Sequence, residues 1–197
     1  MVSDTGDARP SAPSSGRAVD ETELIAGVLA GNRQAGRALY DAHAPAVYRL
    51  VYRMVSDPDL AQEFTQYTFI KVFARLDTFR GDAALRTWIH SVAVSCVLNG
   101  MRKVKRWRER ERPLDGVLAT PATGPRPVEP DLRERLRTAI EELPLKLRTP
   151  LVLHDVEGYS HPEIAEMTGV PEGTCKTRLA GARARLRESL AAFAPET

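Results

Sequence analysis

The sequence predicts an all-α protein: two small helical domains joined by a flexible linker. Three observations carry this. Apolar residues recur at spacings of three and four along both halves, which marks one buried face per helix. Neither half shows alternating strand patterns, and the Asn-Gly pair at 99–100 lacks the flanking strands that would make it a hairpin signal. Residues 113–130 hold five prolines and two glycines in eighteen positions, without apolar periodicity, as an interdomain linker does. The expected domains are therefore 22–112 and 131–193. Residues 1–21, rich in Ser, Pro, Gly, Ala and Asp, read as a disordered N-terminal tail.

The elements follow in order. Leu24, Ile25, Val28 and Leu29 are spaced for one face of a first helix. Asn32 is placed to cap a second, with Leu39 and Tyr40 on its apolar side. Pro45 suits the first turn of a third, carrying Val47, Leu50, Val51 and Met54. Asp57-Pro58 is a start signal, a capping side chain followed by a proline. The helix it opens is expected to reach Leu76 and to bury Leu60, Phe64, Phe69 and Phe73. Residues 77–83 read as a loop with a glycine hinge, and a long helix is expected over 84–110.

In the second half, helices are expected over 131–143 and from Leu145 to about Glu157, with Gly158 ending the latter. Ser160 and Glu163 are three apart, the spacing of a capping box. A short helix, the turn Thr168-Gly169-Val170 and a last helix opened by Pro171 complete the chain.

The chain has 197 residues, 43% hydrophobic and 27% charged, an ordinary soluble balance. It lacks the run of about 18 apolar residues that a membrane-spanning helix needs. No basic patch followed by an apolar core marks a secretory signal. A cytoplasmic protein without membrane insertion is expected. Two cysteines and four scattered histidines give neither a disulfide framework nor metal-ligand spacing, so no metal and no cofactor is expected.

The net charge of +2 is unevenly spread. Residues 22–112 carry +6, and Arg102–Arg112 alone hold seven basic residues against Glu109 and Glu111. Pro171–Arg187 hold five against Glu172. Two separate cationic stripes suit a polyanion, although either alone also suits a solvated helix face.

Ser160–Leu186 carry the most specific signal. A short capped helix, a glycine turn and a longer basic helix describe a helix-turn-helix. Ala165 is small enough for a close crossing, and Ile164, Val170 and Leu179 pin the pair to a core. The start of the second helix is left to show Glu172, Thr174, Lys176, Thr177 and Arg178 to base edges and phosphates, with Arg183, Arg185 and Arg187 extending the cationic face.

A second constellation is Phe79-Arg80-Gly81-Asp82 with Thr87-Trp88-Ile89-His90 and the basic run. Aromatic rings beside a glycine loop and a row of cations suit melted, single-stranded DNA. Phe79 and Trp88 also suit a plain core position. The polar face of residues 57–71 fits a solvated surface and a partner-docking surface equally well.

No catalytic constellation is found: no phosphate-binding glycine loop with a lysine, and no nucleophile beside a histidine signature. His154-Asp155 reads as a helix terminus. Cys96 is expected to be buried and unreactive, and Cys175 to pack as a small apolar residue near a helix N-terminus.

At these motifs the chain resembles the extracytoplasmic-function, or group four, sigma factors of the sigma-70 family of bacterial RNA polymerase. The resemblance covers residues 22–192. Asp59–Phe69 looks like the family's core-polymerase docking helix. Phe79–Ala83 with Thr87-Trp88-Ile89 looks like its promoter-melting segment. Leu143-Pro144, Asp155–Ser160, Glu163-Ile164-Ala165 and Gly173–Leu179 look like its sigma-four domain.

The resemblance implies a sigma-two domain, a linker and a sigma-four domain, and a promoter-specificity subunit that is not an enzyme. Asp59, Gln62, Glu63, Gln66 and Tyr67 would face the coiled coil of the largest polymerase subunit, and the sigma-four domain its flap region. Phe79, Arg80, Gly81 and Asp82 would capture a flipped base of the −10 element, next to His90, Ser95 and Asn99. Arg102, Lys103, Lys105 and Arg106 would hold the duplex upstream. Glu172, Thr174, Lys176, Thr177, Arg178 and Arg183 would serve the −35 element. An anti-sigma factor that masks the docking face is implied as a further partner. The chain departs from the family pattern at Tyr67, often acidic there, at Ser95, often Asn, and at Cys175, usually Val. The rival reading is a stand-alone helix-turn-helix regulator of duplex DNA, which needs neither the 57–71 face nor the melting loop. A signalling adaptor that binds only protein is a further rival.

Overall fold

A computed structural model describes residues 21–110 and 132–191, with the side chains of 105 and 107–110 left out. The linker and residues 1–20 of the expected tail lie outside the described residues, and Glu21, the last position of that tail, already belongs to the first helix.

Four helices build the first half: α1 (Glu21–Leu29), α2 (Arg33–Val55), α3 (Pro58–Arg75) and α4 (Leu85–Arg110). Asn32 caps α2, its side chain accepting from the Gln34 and Ala35 amides, and Asp57 caps α3 through the Asp59 and Leu60 amides. Leu39, Val47, Leu50, Val51 and Met54 of α2 are fully buried against Val72 of α3 and Leu85, Ile89, Val94 and Val97 of α4. Gly100 lets α3 and α4 close together. A Cβ there would lie 2.2 Å from the Phe64 ring.

Four helices form the second half: α5 (Leu132–Glu142), α6 (Leu145–Leu151), α7 (His161–Thr168) and α8 (Glu172–Ala191). Leu143, Leu151, Leu179 and Ala182 make a small core of its own. The rest of its apolar surface, including Val152, Leu153, Ile164 and Met167, joins the core of the first half. The two halves are thus packed together. Glu163 accepts from the Ser160 amide at 2.8 Å, as the capping-box spacing predicts. Gly169 turns the chain with φ +67°, a left-handed conformation open to glycine without penalty.

Three expectations are corrected. Pro45 does not start a helix but lies inside the 23-residue α2. A proline there removes one hydrogen bond and crowds the preceding turn, yet buried Ala44 and Val47 beside it hold the helix to the core. The expected helix from Leu145 to Glu157 is two elements. After Pro150 the chain widens at 152–156 into a π turn, closed by the Glu157 amide on the Val152 carbonyl at 3.0 Å. Phe73, expected in the core, is 38% exposed.

Candidate polymerase and nucleic-acid interface

The polar face of α3 is open. Asp59, Gln62, Glu63, Gln66 and Tyr67 are all exposed, with the Lys71 ammonium 4.9 Å from the centre of the Tyr67 ring. Ile70 and Phe73 continue the same surface and are exposed too. Gln62, Gln66, Ile70 and Phe73 follow at spacings of four, four and three, so one stripe runs along the helix. Beside it a shallow depression of about 530 Å³ is lined by Tyr40, Tyr48, Arg49, Gln62 and Gln66.

The loop before α4 opens onto a cleft of about 730 Å³. Phe79 and Trp88 are half-buried at its edge, ring centroids 5.5 Å apart. Trp88 is thus neither a core residue nor a free one. Arg80, Gly81 and Asp82 are exposed, and Gly81 has φ +78°. Along α4 a polar row follows. Asn99 Nδ2 donates to Ser95 Oγ at 3.3 Å, and Arg102 donates to Asn99 Oδ1 at 3.2 Å. Lys103 and Arg106 are exposed beyond it, and the Lys105 side chain lies outside the described ones.

His90 is not part of this row. It is 1% exposed and its Nδ1 is hydrogen-bonded to the Tyr159 hydroxyl at 2.9 Å. The reason is helical geometry: at about 100° per residue, His90 lies opposite Asn99 on α4. Burial pushes its imidazole down to about 4, with Arg86 adding to the effect.

Glu172, Thr174, Lys176 and Thr177 stand exposed at the start of α8, and Arg178 is half-buried. Lys176 pairs with Glu172 at 2.7 Å, which holds that carboxyl below the usual range. Arg183, although exposed, is engaged by a neighbouring side chain: its Nε and Nη2 meet the two Asp155 oxygens at 2.9 and 2.5 Å. This fork holds the Asp155 carboxyl low, and it makes His154-Asp155 an anchor of α8 rather than a bare terminus. Cys96 and Cys175 are both buried, and burial pushes the Cys96 thiol up. Among the described residues no cluster of His, Cys, Asp and Glu is placed to hold a metal, and no helix is long and apolar enough to cross a membrane.

The sequence did not reveal the residues that join the halves. Glu157 accepts from Arg53 at 2.8 Å and from Arg86 at 2.9 Å, its side chain 6% exposed. Arg148 donates to the Met54 carbonyl at 3.1 Å and to Ser56 Oγ at 2.6 Å.

Two family models match the chain: Sigma-70 region 2 over residues 39–108 and Sigma-70, region 4, over residues 133–186. The ECF RNA polymerase sigma factor SigM of Mycobacterium tuberculosis (strain H37Rv) is 31% identical over 170 residues, covering 86% of this chain and 84% of that protein. The chain belongs to the ECF sigma factors. SigE of Mycolicibacterium smegmatis is 34% identical over 159 residues, 79% of this chain, but the match spans only 61% of that longer protein. Among solved structures, this sigma factor is similar to RpoE in complex with the anti-sigma factor NepR from Bartonella quintana. The TM-score is 0.62 at 25% identity, over 80% of this chain and 98% of that one. CnrH, solved with the cytosolic domain of CnrY, shares the fold at TM-score 0.58 and 21% identity, over 87% and 97% of the two chains.

Proposed function

We propose that this sigma factor binds core RNA polymerase in the cytoplasm, directs it to a two-part promoter and helps to melt the −10 region, without being an enzyme itself. The observation that carries the reading is the coexistence of three separate surfaces on one chain: the open stripe on α3, the aromatic and cationic cleft before α4, and the exposed start of α8. A duplex-binding regulator needs only the last of them.

Each surface takes a role. Asp59, Gln62, Glu63, Gln66 and Tyr67 dock on the coiled coil of the largest subunit, with Ile70 and Phe73 as an apolar extension of the stripe. Phe79, Arg80, Asp82, Ser95 and Asn99 receive unstacked bases of the non-template strand, and Arg102, Lys103, Lys105 and Arg106 hold the backbone. Thr174, Lys176, Thr177 and Arg178 meet the −35 element in the major groove. Residues 22–112 then act as the sigma-two domain and 131–193 as the sigma-four domain, tethered by 113–130. An anti-sigma factor regulates the chain by covering the docking face. The complex of the similar chain RpoE with the anti-sigma factor NepR supports this partner class.

The test is co-elution of the purified chain with bacterial core RNA polymerase on a sizing column. Q62A/Q66A serves as the control. Co-elution that the control loses supports the docking face. Absence of co-elution, from a sample free of bound inhibitor, favours the stand-alone duplex-binding regulator instead.

A further inference from the structure

A groove of about 460 Å³ lies between α2, α5 and the π turn. Its apolar walls are Tyr48, Tyr52, Leu136, Ile140, Val152 and Val156. Tyr48 and Tyr52 stand one turn apart on α2 and stack, with ring centroids 6.2 Å apart and 17° between their planes. The wider winding of the π turn brings buried Val152 and exposed Val156 to the same groove. Tyr48, Leu136 and Val156 are 37%, 40% and 47% exposed. Large apolar side chains gathered in the open mark a binding surface. The exposed residues of the α3 stripe have a proposed partner, and these have none.

The same groove carries four arginines, Arg49, Arg53, Arg133 and Arg137, against one carboxylate, Glu141. Arg53 is committed to Glu157 at 2.8 Å, and Arg137 to Glu141 at 3.3 Å. Arg49 and Arg133 are exposed, and neither has a hydrogen-bond or ion-pair partner among the described residues. One stands on α2 and the other on α5, so each half of the chain supplies one. A bare polyanion would leave the apolar walls wet. A neutral hydrocarbon would leave both guanidinium groups unused. A molecule with an apolar body and an acidic head satisfies both, because the guanidinium fork matches a carboxylate or sulfonate. The volume falls within the range of small-molecule sites, about 300–1,000 Å³.

We propose that this groove is a binding site for a small amphipathic acid, an aromatic or acyl body with a single anionic head. The body lies against Tyr52, Leu136, Ile140 and Val156, and the head meets Arg49 and Arg133. Tyr48 and Arg49 also border the depression beside the α3 stripe, so the bound acid sits next to the surface proposed to dock polymerase. Leu136 and Val156 line the groove and not that depression. Changes at these two positions therefore separate the two places.

The experiment uses the full chain and two fluorescent probes of one shape. Anilinonaphthalene sulfonate carries the acid, and phenylnaphthylamine is the same body without it. The sulfonate is expected to bind saturably, one molecule per chain. Dodecanoate should displace it where dodecyltrimethylammonium does not. R49Q/R133Q changes two exposed side chains. It is expected to weaken the sulfonate about tenfold, the equivalent of one charge-assisted hydrogen bond, and to leave phenylnaphthylamine affinity unchanged. L136D is expected to abolish binding of both probes while circular dichroism shows an intact fold. V156D takes its place if L136D unfolds. No saturable binding overturns the proposal, and so does binding that a folded L136D or V156D retains. Unchanged sulfonate affinity in R49Q/R133Q reduces the groove to an apolar patch and overturns it too. A chain that takes up the sulfonate only after cleavage within 113–130 fills the groove with its own linker. One whose binding fades as it dimerises fills it with a second copy. Either result rejects the small acid as the occupant.

Discussion

The hydroxyl of Tyr159 hydrogen-bonds Nδ1 of His90 at 2.9 Å, joining residues 69 apart in sequence across the boundary between the halves. His90 is 1% exposed, and its Nε2 has no hydrogen-bond partner among the described residues. Such an imidazole is held neutral. Arg86 opposes its protonation, as His43 does weakly, and Glu157 favours it too little to offset burial.

The sign of the resulting pH dependence follows. The folded value is about 4, against 6.5 when the chain is unfolded. The stability linked to His90 is complete above the unfolded value and is lost as pH falls from there towards 4. The loss over that window is on the order of 3 kcal/mol at one imidazole. Urea midpoints measured at pH 7 and pH 5 should fall with acid in the wild type and much less in H90Q. Equal pH slopes in the two chains would remove His90 as the source.

Gly100 allows α4 to lie on the Phe64 ring, where a Cβ would come within 2.2 Å. G100A is expected to destabilise the first half by about 1–3 kcal/mol, since α3 and α4 must move apart. F64L should recover part of that in the double variant, because it removes the ring atoms in the way. Denaturant unfolding of the four chains closes the cycle. An unchanged midpoint in G100A would show that the helices separate freely.

Lys176 and Arg178 stand at the start of α8, one exposed and one half-buried. K176A/R178A should weaken duplex binding and flatten its salt dependence by about 0.9 per lost phosphate contact. Binding to core polymerase should persist. Titrations at several salt concentrations give the slope. Full promoter selectivity in the double variant would contradict the role given to this helix.

Arg183 is committed to Asp155 rather than free. Both side chains are partly exposed, so solvent screening keeps the pair's contribution to stability small. The depressed Asp155 value means that this contribution is present at neutral pH and disappears as acid protonates the carboxyl. D155N should cost little stability and should strengthen duplex binding, since it removes a negative charge and releases a guanidinium. Weaker duplex binding in D155N would mean instead that the pair orients α8.

Local chemistry made much of the fold legible. Asn32, Asp57-Pro58 and the Ser160/Glu163 spacing mark helix starts where the structure has them. Gly169 marks the turn between α7 and α8. Pro45 misled because local preference favours a helix start, while burial of its neighbours favours continuity. His90 was misplaced for a different reason. Its sequence neighbourhood is that of the cleft, but its angle on α4 is opposite the row of Ser95, Asn99 and Arg102. Counting residues around the helix would have found this. The boundary contacts had no such signal. Arg53, Arg86 and Arg148 belong to no motif of the sequence, and Arg148 and Met54 stand 94 residues apart.

Arg148 divides its donors between two duties. Nε and Nη2 are given to the Leu143 carbonyl and Nη2 also to that of Glu141, all within the second half, whereas only Nη1 crosses to Met54 and Ser56. Only one corner of the guanidinium depends on the first half, and the rest is moored within the second. The second half therefore orients the guanidinium by itself, and the first half meets a donor that is already aimed at Met54 and Ser56.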